Sequence, residues 1–194
     1  MKKVIIIASV FSVLFCGDIS GVSYFNYALG DADEGEAHGF YMDRAFFTYE
    51  NAMSDKASYK FRTDIHQTDG AGYLVYLRNA KLDLVCMEDM VVTFGLQDMN
   101  MFSAQQKNWG NRFLAKSSMD ANGWSSAADL GIGVSKSFGD ISGSLLYTNG
   151  EGYWNSSSDN NEKISVQAMY GEGDLSANEG FNVGGVFSTL NNTT

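Results

Sequence analysis

The stretch Ala57 to His66, ASYKFRTDIH, alternates without a break. Ala57, Tyr59, Phe61, Thr63 and Ile65 share one parity, and Ser58, Lys60, Arg62, Asp64 and His66 share the other. Successive side chains of an extended chain point to opposite faces. This segment therefore predicts a strand with one apolar, aromatic face and one face of polar and ionisable groups. The same two-residue period recurs along the chain. Ala128, Leu130, Ile132 and Val134 oppose Asp129, Gly131, Gly133 and Ser135. Ile164, Val166, Ala168 and Tyr170 oppose Ser165, Gln167 and Met169, and Ala80, Leu82 and Leu84 oppose Asn79, Lys81 and Asp83. Between residues 40 and 51, Tyr41, Ala45, Phe47 and Tyr49 oppose Arg44 and Thr48, but Phe40, Met42 and Phe46 break the polarity.

The pattern predicts strands near residues 19–28, 40–51, 57–67, 73–85, 90–97, 127–137, 140–149 and 162–171, and a last one from 180 onward. A helical period is conceivable only within 99–120. These strands run about nine to twelve residues, against roughly five or six in ordinary globular sheets. A tilted membrane-spanning strand needs about 9–11. The connections alternate between long and short. The short ones are AMSD, CMED and FG; the long ones are LGDADEGEAHG, residues 98–126, and GEGYWNSSSDNN. A meander crossing a membrane has short turns on one side and longer loops on the other. The join EGDLSANE is the misfit, being longer than that rule predicts. The fold class expected is all-β: an antiparallel transmembrane β-barrel meander with about nine strands present. The apolar face then meets lipid, and Lys60, Arg62, Asp64 and His66 face a wet interior.

Composition sharpens this reading. The chain has 194 residues, no Pro and 21 Gly. Pro removes a ladder hydrogen bond, so a chain made mostly of paired strands excludes it. The net charge of −10 argues against a nucleic-acid partner. Residues 1–17, MKKVIIIASVFSVLFCG, have a basic start and an apolar run, as a secretory signal peptide does. Its removal near Cys16 leaves Cys86 alone, so no internal disulfide is expected, and Cys86 reads as an inert structural cysteine. Aromatic residues gather near strand ends, among them Tyr49, Tyr59, Tyr73, Tyr147, Tyr153, Trp154 and Tyr170.

The segments GFYMDRAFFTYEN, ASYKFRTDIH, NAKLDL with VVTFGLQ, NWGNRF and SSAADLGIGVSKSF together resemble a bacterial outer-membrane porin of the general diffusion or phosphate-selective type. The resemblance spans essentially the whole chain after the signal, and it is diffuse, because the repeat is weak in each segment. It implies an outer-membrane channel for passive diffusion of small hydrophilic solutes or ions, in contact with membrane lipid and lipopolysaccharide and assembled as a homotrimer. No cofactor is implied. By the same resemblance Arg44, Lys60, Arg62 and Lys81, with Asp64 and Asp83 among them, would line the pore wall. The long connection, with Asp98, Lys107, Arg112, Lys116 and Asp120, would fold inward as a constriction. Rings of Lys and Arg favour anions, so the basic lean of wall and loop implies a weak anion preference. Porins have about 16–18 strands, so the chain would form the N-terminal part of a longer barrel.

Two other classes set the contrast. An enzyme is not expected, since neither His38 nor His66 stands in a recognisable nucleophile motif. The acidic run with Asp31, Asp33, Glu34 and Glu36 lacks the spacing of a calcium loop, so no dedicated metal site is expected there. The alternative from a different class is a soluble secreted β-sandwich that binds glycans, with Trp109, Trp124 and Trp154 as stacking platforms.

Overall fold

Each strand pairs with the next one in sequence, antiparallel throughout, in a nine-stranded sheet ordered β1 to β9. The computed structural model describes residues 17–30, 38–68, 72–155 and 162–191. The strands are β1 (Asp18–Leu29), β2 (His38–Ser54), β3 (Ala57–Thr68), β4 (Gly72–Met87), β5 (Met90–Asp98), β6 (Ala128–Phe138), β7 (Ile141–Thr148), β8 (Glu162–Gly171) and β9 (Asn182–Asn191). Between β5 and β6 lie α1 (Asn100–Trp109) and the single turn α2 (Ser118–Ala121). Among the described residues β1 and β9 have no second neighbour, so the sheet is an open meander. Among the described residues no helix is long and apolar enough to cross a membrane, which has no bearing on crossing by strands. The signal-peptide segment, apart from Gly17, and the acidic run at 31–36 lie outside the described residues.

Register turns the sequence pattern into two faces. Arg62 lies opposite Thr48 and Asn79, and Lys60 lies opposite Glu50 and Lys81. Asp83 lies opposite Thr93, Gly95 opposite Gly131, and Ser144 opposite Gln167. Directly opposed residues share a face, so one polar face runs across the sheet. The other face carries Phe47, Phe61, Leu82, Phe94, Ile132, Leu145, Val166 and Phe187.

Two β-bulges account for the broken polarity of β2 and a slip in β4. The β1–β2 register jumps from Tyr24–Arg44 to Phe25–Met42, which leaves Asp43 as the extra residue. The β3–β4 register jumps from Arg62–Asn79 to Thr63–Leu77, which leaves Arg78 extra. An extra residue reverses side-chain parity beyond it. Phe40 and Met42 thus belong to the same apolar face as Phe47. Phe46 does not: it stays on the polar face, 8% exposed.

The buried apolar cluster is Met99, Phe102, Met119 and Leu146. It lies between the polar face and the β5–β6 connection folded onto that face, not between two sheets. Strand β7 has apolar Leu146 on its polar face, where the connection covers it. Helix α1 falls within the span that alone allowed a helical period, and α2 runs one residue past its end. Gly110 closes α1 in the left-handed region at φ 64°, donating its N–H to the Gln106 carbonyl. Asp98 closes β5 and does not open the loop.

Candidate functional site

The polar face holds a network of charges beside a folded-in loop. Asn100, at the start of α1, is the anchor: its amide donates to Ser144 Oγ at 3.1 Å and its Oδ1 accepts from Ser165 Oγ at 2.7 Å. Ser165 is fully buried and also meets Ser188 Oγ at 2.7 Å. At the far end of α1, Asn108 and Asn182 exchange amide hydrogen bonds. The chain then swings back towards the first strands. Arg112 reaches Asp43 on β2 at 3.2 Å and lies 5.2 Å over the Tyr24 ring on β1. The connection therefore touches β7, β8 and β9 at one end and β1 and β2 at the other. The β7–β8 connection does likewise: Tyr153 Oη donates to Asp64 on β3 at 2.6 Å. Four strand spacings of about 4.8 Å separate β7 from β3, so these bridges require a strongly curved sheet with the polar face inside.

The residues expected to line a pore are all on this concave face, mostly in pairs. Arg44 Nε meets Asp64 at 3.3 Å, Lys60 meets Glu50 at 2.7 Å, and Lys81 meets Asp83 at 2.8 Å. Asp83 also accepts from Thr93 Oγ1 at 2.6 Å. Arg62 lies 4.2 Å over the Phe46 ring, within cation–π range. One expectation is corrected. Asp64 does not face water: it is 0% exposed, enclosed by Arg44 and Tyr153. His66 stacks on Tyr76 at 5.2 Å and meets Trp154 edge-on at 4.8 Å. Burial, together with the Asp64 carboxylate that would repel a phenolate and accepts the phenol's hydrogen bond, pushes the Tyr153 pKa far above its ordinary value. The phenol therefore donates throughout the neutral range.

Of the loop residues, Asp98 meets Arg78 at 3.7 Å, and Arg112 also faces Asp120 at 3.8 Å. Lys107 and Lys116 form no ion pair among the described residues. Cys86, read as an inert structural cysteine, is free and exposed.

The sequence reading missed Arg78, Phe46, Tyr24 and Tyr153 as parts of this site. Arg78 was detectable in principle: apolar parity in β4 changes between Leu77 and Ala80, which marks a bulge at the intervening residues. Arg78 is 6% exposed, lies 5.3 Å over the Phe46 ring, and its Nε has no partner.

These residues enclose a cavity of about 260 Å³ between the wall and the loop, lined by Tyr24, Phe46, Arg62, Arg78, Lys107 and Arg112 among others. Among the described residues its lining includes four cationic side chains and no carboxylate. Ser176, from the β8–β9 connection, closes one side. That connection is held by its own polar groups. The Asp174 N–H and the Asn178 amide keep the Glu172 carboxyl below its usual range, and Ser176 Oγ does the same for Asp174. Among the described residues no group of three or more His, Cys, Asp or Glu converges as a metal site would require. No protein-family model matches the chain, and comparison with curated proteins found no match.

Proposed function

We propose that the chain is part of an outer-membrane β-barrel channel of porin type that lets small hydrophilic solutes and ions diffuse, with a weak anion preference. One observation carries this reading: the sheet is inside out relative to a soluble fold. Its convex face exposes large apolar side chains from β1 to β9, including Phe25 at 73%, Val75 at 63%, Val183 at 65% and Phe187 at 69%. Monomeric soluble proteins rarely expose contiguous apolar patches beyond a few hundred Å². A lipid-facing band would hold such a surface, with a polar interior behind it. In lipid every backbone group needs a partner, so the edges of β1 and β9 would be closed by further strands. The connection between β5 and β6 acts as the constriction, with Arg62 and Arg78 on the wall opposite Lys107 and Arg112.

The test is a reversal potential in planar bilayers across a potassium chloride gradient, on protein extracted in detergent from outer membranes. The expected result is a mild anion preference that moves towards cations in the Arg62→Gln, Arg78→Gln double variant. Protein that extracts in buffer without detergent, or that never conducts, refutes the proposal. Retention on a sugar column would then favour the soluble glycan-binding alternative.

A further inference from the structure

A second, larger cavity of about 510 Å³ lies between residues 116–127 and 150–154 and shares no lining residue with the first. Phe102, Trp124, Tyr153 and Trp154 give it aromatic walls, and Lys116 and Lys163 supply ammonium groups. We propose that this cavity is a binding site for small aromatic carboxylates, a solute class that the channel would take up before the constriction. The inference rests on the channel reading for its role but not for its chemistry.

The wall is rigid where a ring would stack. Tyr153 is fixed by its hydrogen bond to Asp64, and its ring lies 4.3 Å from that of Trp154. Trp154 is braced behind by Tyr76 at 4.4 Å and His66 at 4.8 Å, yet remains 39% exposed. Trp124 is 66% exposed. Such indole surface, held open beside a cavity, suits an offset or edge-on aromatic ring.

The charges select an anion. Neither Lys116 nor Lys163 has an ion-pair partner among the described residues. The cavity's third cation, Arg44, is held by Asp64. Of its two acids, Asp120 faces Arg112, and Glu151 has a partner of its own. The polar groups argue against a sugar. Recognition of a ring of hydroxyls needs several free donors and acceptors, but Ser125 and Ser126 spend their hydroxyl protons on backbone carbonyls. Among the described residues no Asn or Gln lines the cavity.

The experiment titrates the detergent-solubilised full chain with sodium benzoate, using calorimetry and tryptophan fluorescence. Cyclohexanecarboxylate, glucuronate and benzyl alcohol serve as comparison ligands. Benzoate should bind saturably and more tightly than all three. Trp124→Ala and Lys163→Met should each weaken it about fivefold, while conductance persists in Lys163→Met and Lys163→Arg restores binding. Equal or tighter binding of glucuronate, or unchanged affinity in the variants, overturns the proposal. Benzoate binding with these preferences in a protein that conducts nothing would remove the channel reading and leave this site. Conductance without benzoate binding would remove the site alone.

Discussion

The contact between Tyr153 and Asp64 joins the β7–β8 connection to a strand on the other side of the concave face, and its strength can be worked out and measured. Asp64 is wholly buried, accepts from Tyr153 Oη at 2.6 Å and faces Arg44 Nε at 3.3 Å. A hydrogen bond to a buried charged group contributes about 1.5–3 kcal/mol, so Tyr153→Phe should cost about 2 kcal/mol. Removing one partner of a buried ion pair costs about 3–5 kcal/mol. The Arg44 side chain retains 17% exposure, so water can take up part of its charge. Asp64→Ala should therefore fall at the low end, about 3 kcal/mol. The phenol has nothing to donate to once the carboxylate is gone. The double variant should then cost little more than Asp64→Ala, giving a coupling of about 2 kcal/mol. Urea unfolding in detergent micelles, followed by tryptophan fluorescence, reads this directly, with Trp154 as the adjacent reporter. A coupling below about 0.5 kcal/mol refutes the reasoning. The sign with pH follows from the raised Tyr153 pKa. A group whose folded pKa lies above its unfolded value stabilises fully below the unfolded value, about 10 for tyrosine. The coupling should thus be constant from neutral pH to about 10 and decline only above it.

Ile132→Arg places a charge on the apolar face at the middle of β6, where Ile132 is 38% exposed. In a bilayer this costs about 2–4 kcal/mol and should lower the yield of membrane-inserted protein in a fractionation assay; an unchanged yield would count against a lipid-facing band. Gly95→Ala tests the close approach of β5 to β4. At φ 108°, a Cβ on Gly95 would collide with the Ala80 carbonyl oxygen. Strain of about 1–3 kcal/mol in the backbone alone should lower the urea midpoint, whereas Gly185→Ala, with open space around it, should leave it nearly unchanged.

The strands and their faces were legible because the two-residue period writes burial directly into the order of side chains. Ala57–His66 is one strand with the same face assignment in both readings, and the nine strands pair in sequence order, as a meander with short turns requires. The long connection was legible only as a place where a helix was allowed. What covers what depended on tertiary structure. Nothing local marks Asn100 as the partner of Ser144 and Ser165, or Tyr153 as the partner of Asp64, because these residues are 44, 65 and 89 positions apart. The two connections, folded onto the polar face of the curved sheet, bring them together. Phe46 shows the limit most clearly. By hydrophobicity it belongs with the apolar face, but the register puts it inside, where its ring carries Arg62 and Arg78. Sequence period determined which side chains share a face; the bulges at Asp43 and Arg78 and the roll of the sheet decided which charges meet. The period is set by each residue's own backbone geometry, whereas those meetings are set by hydrogen-bonded register summed across many strands.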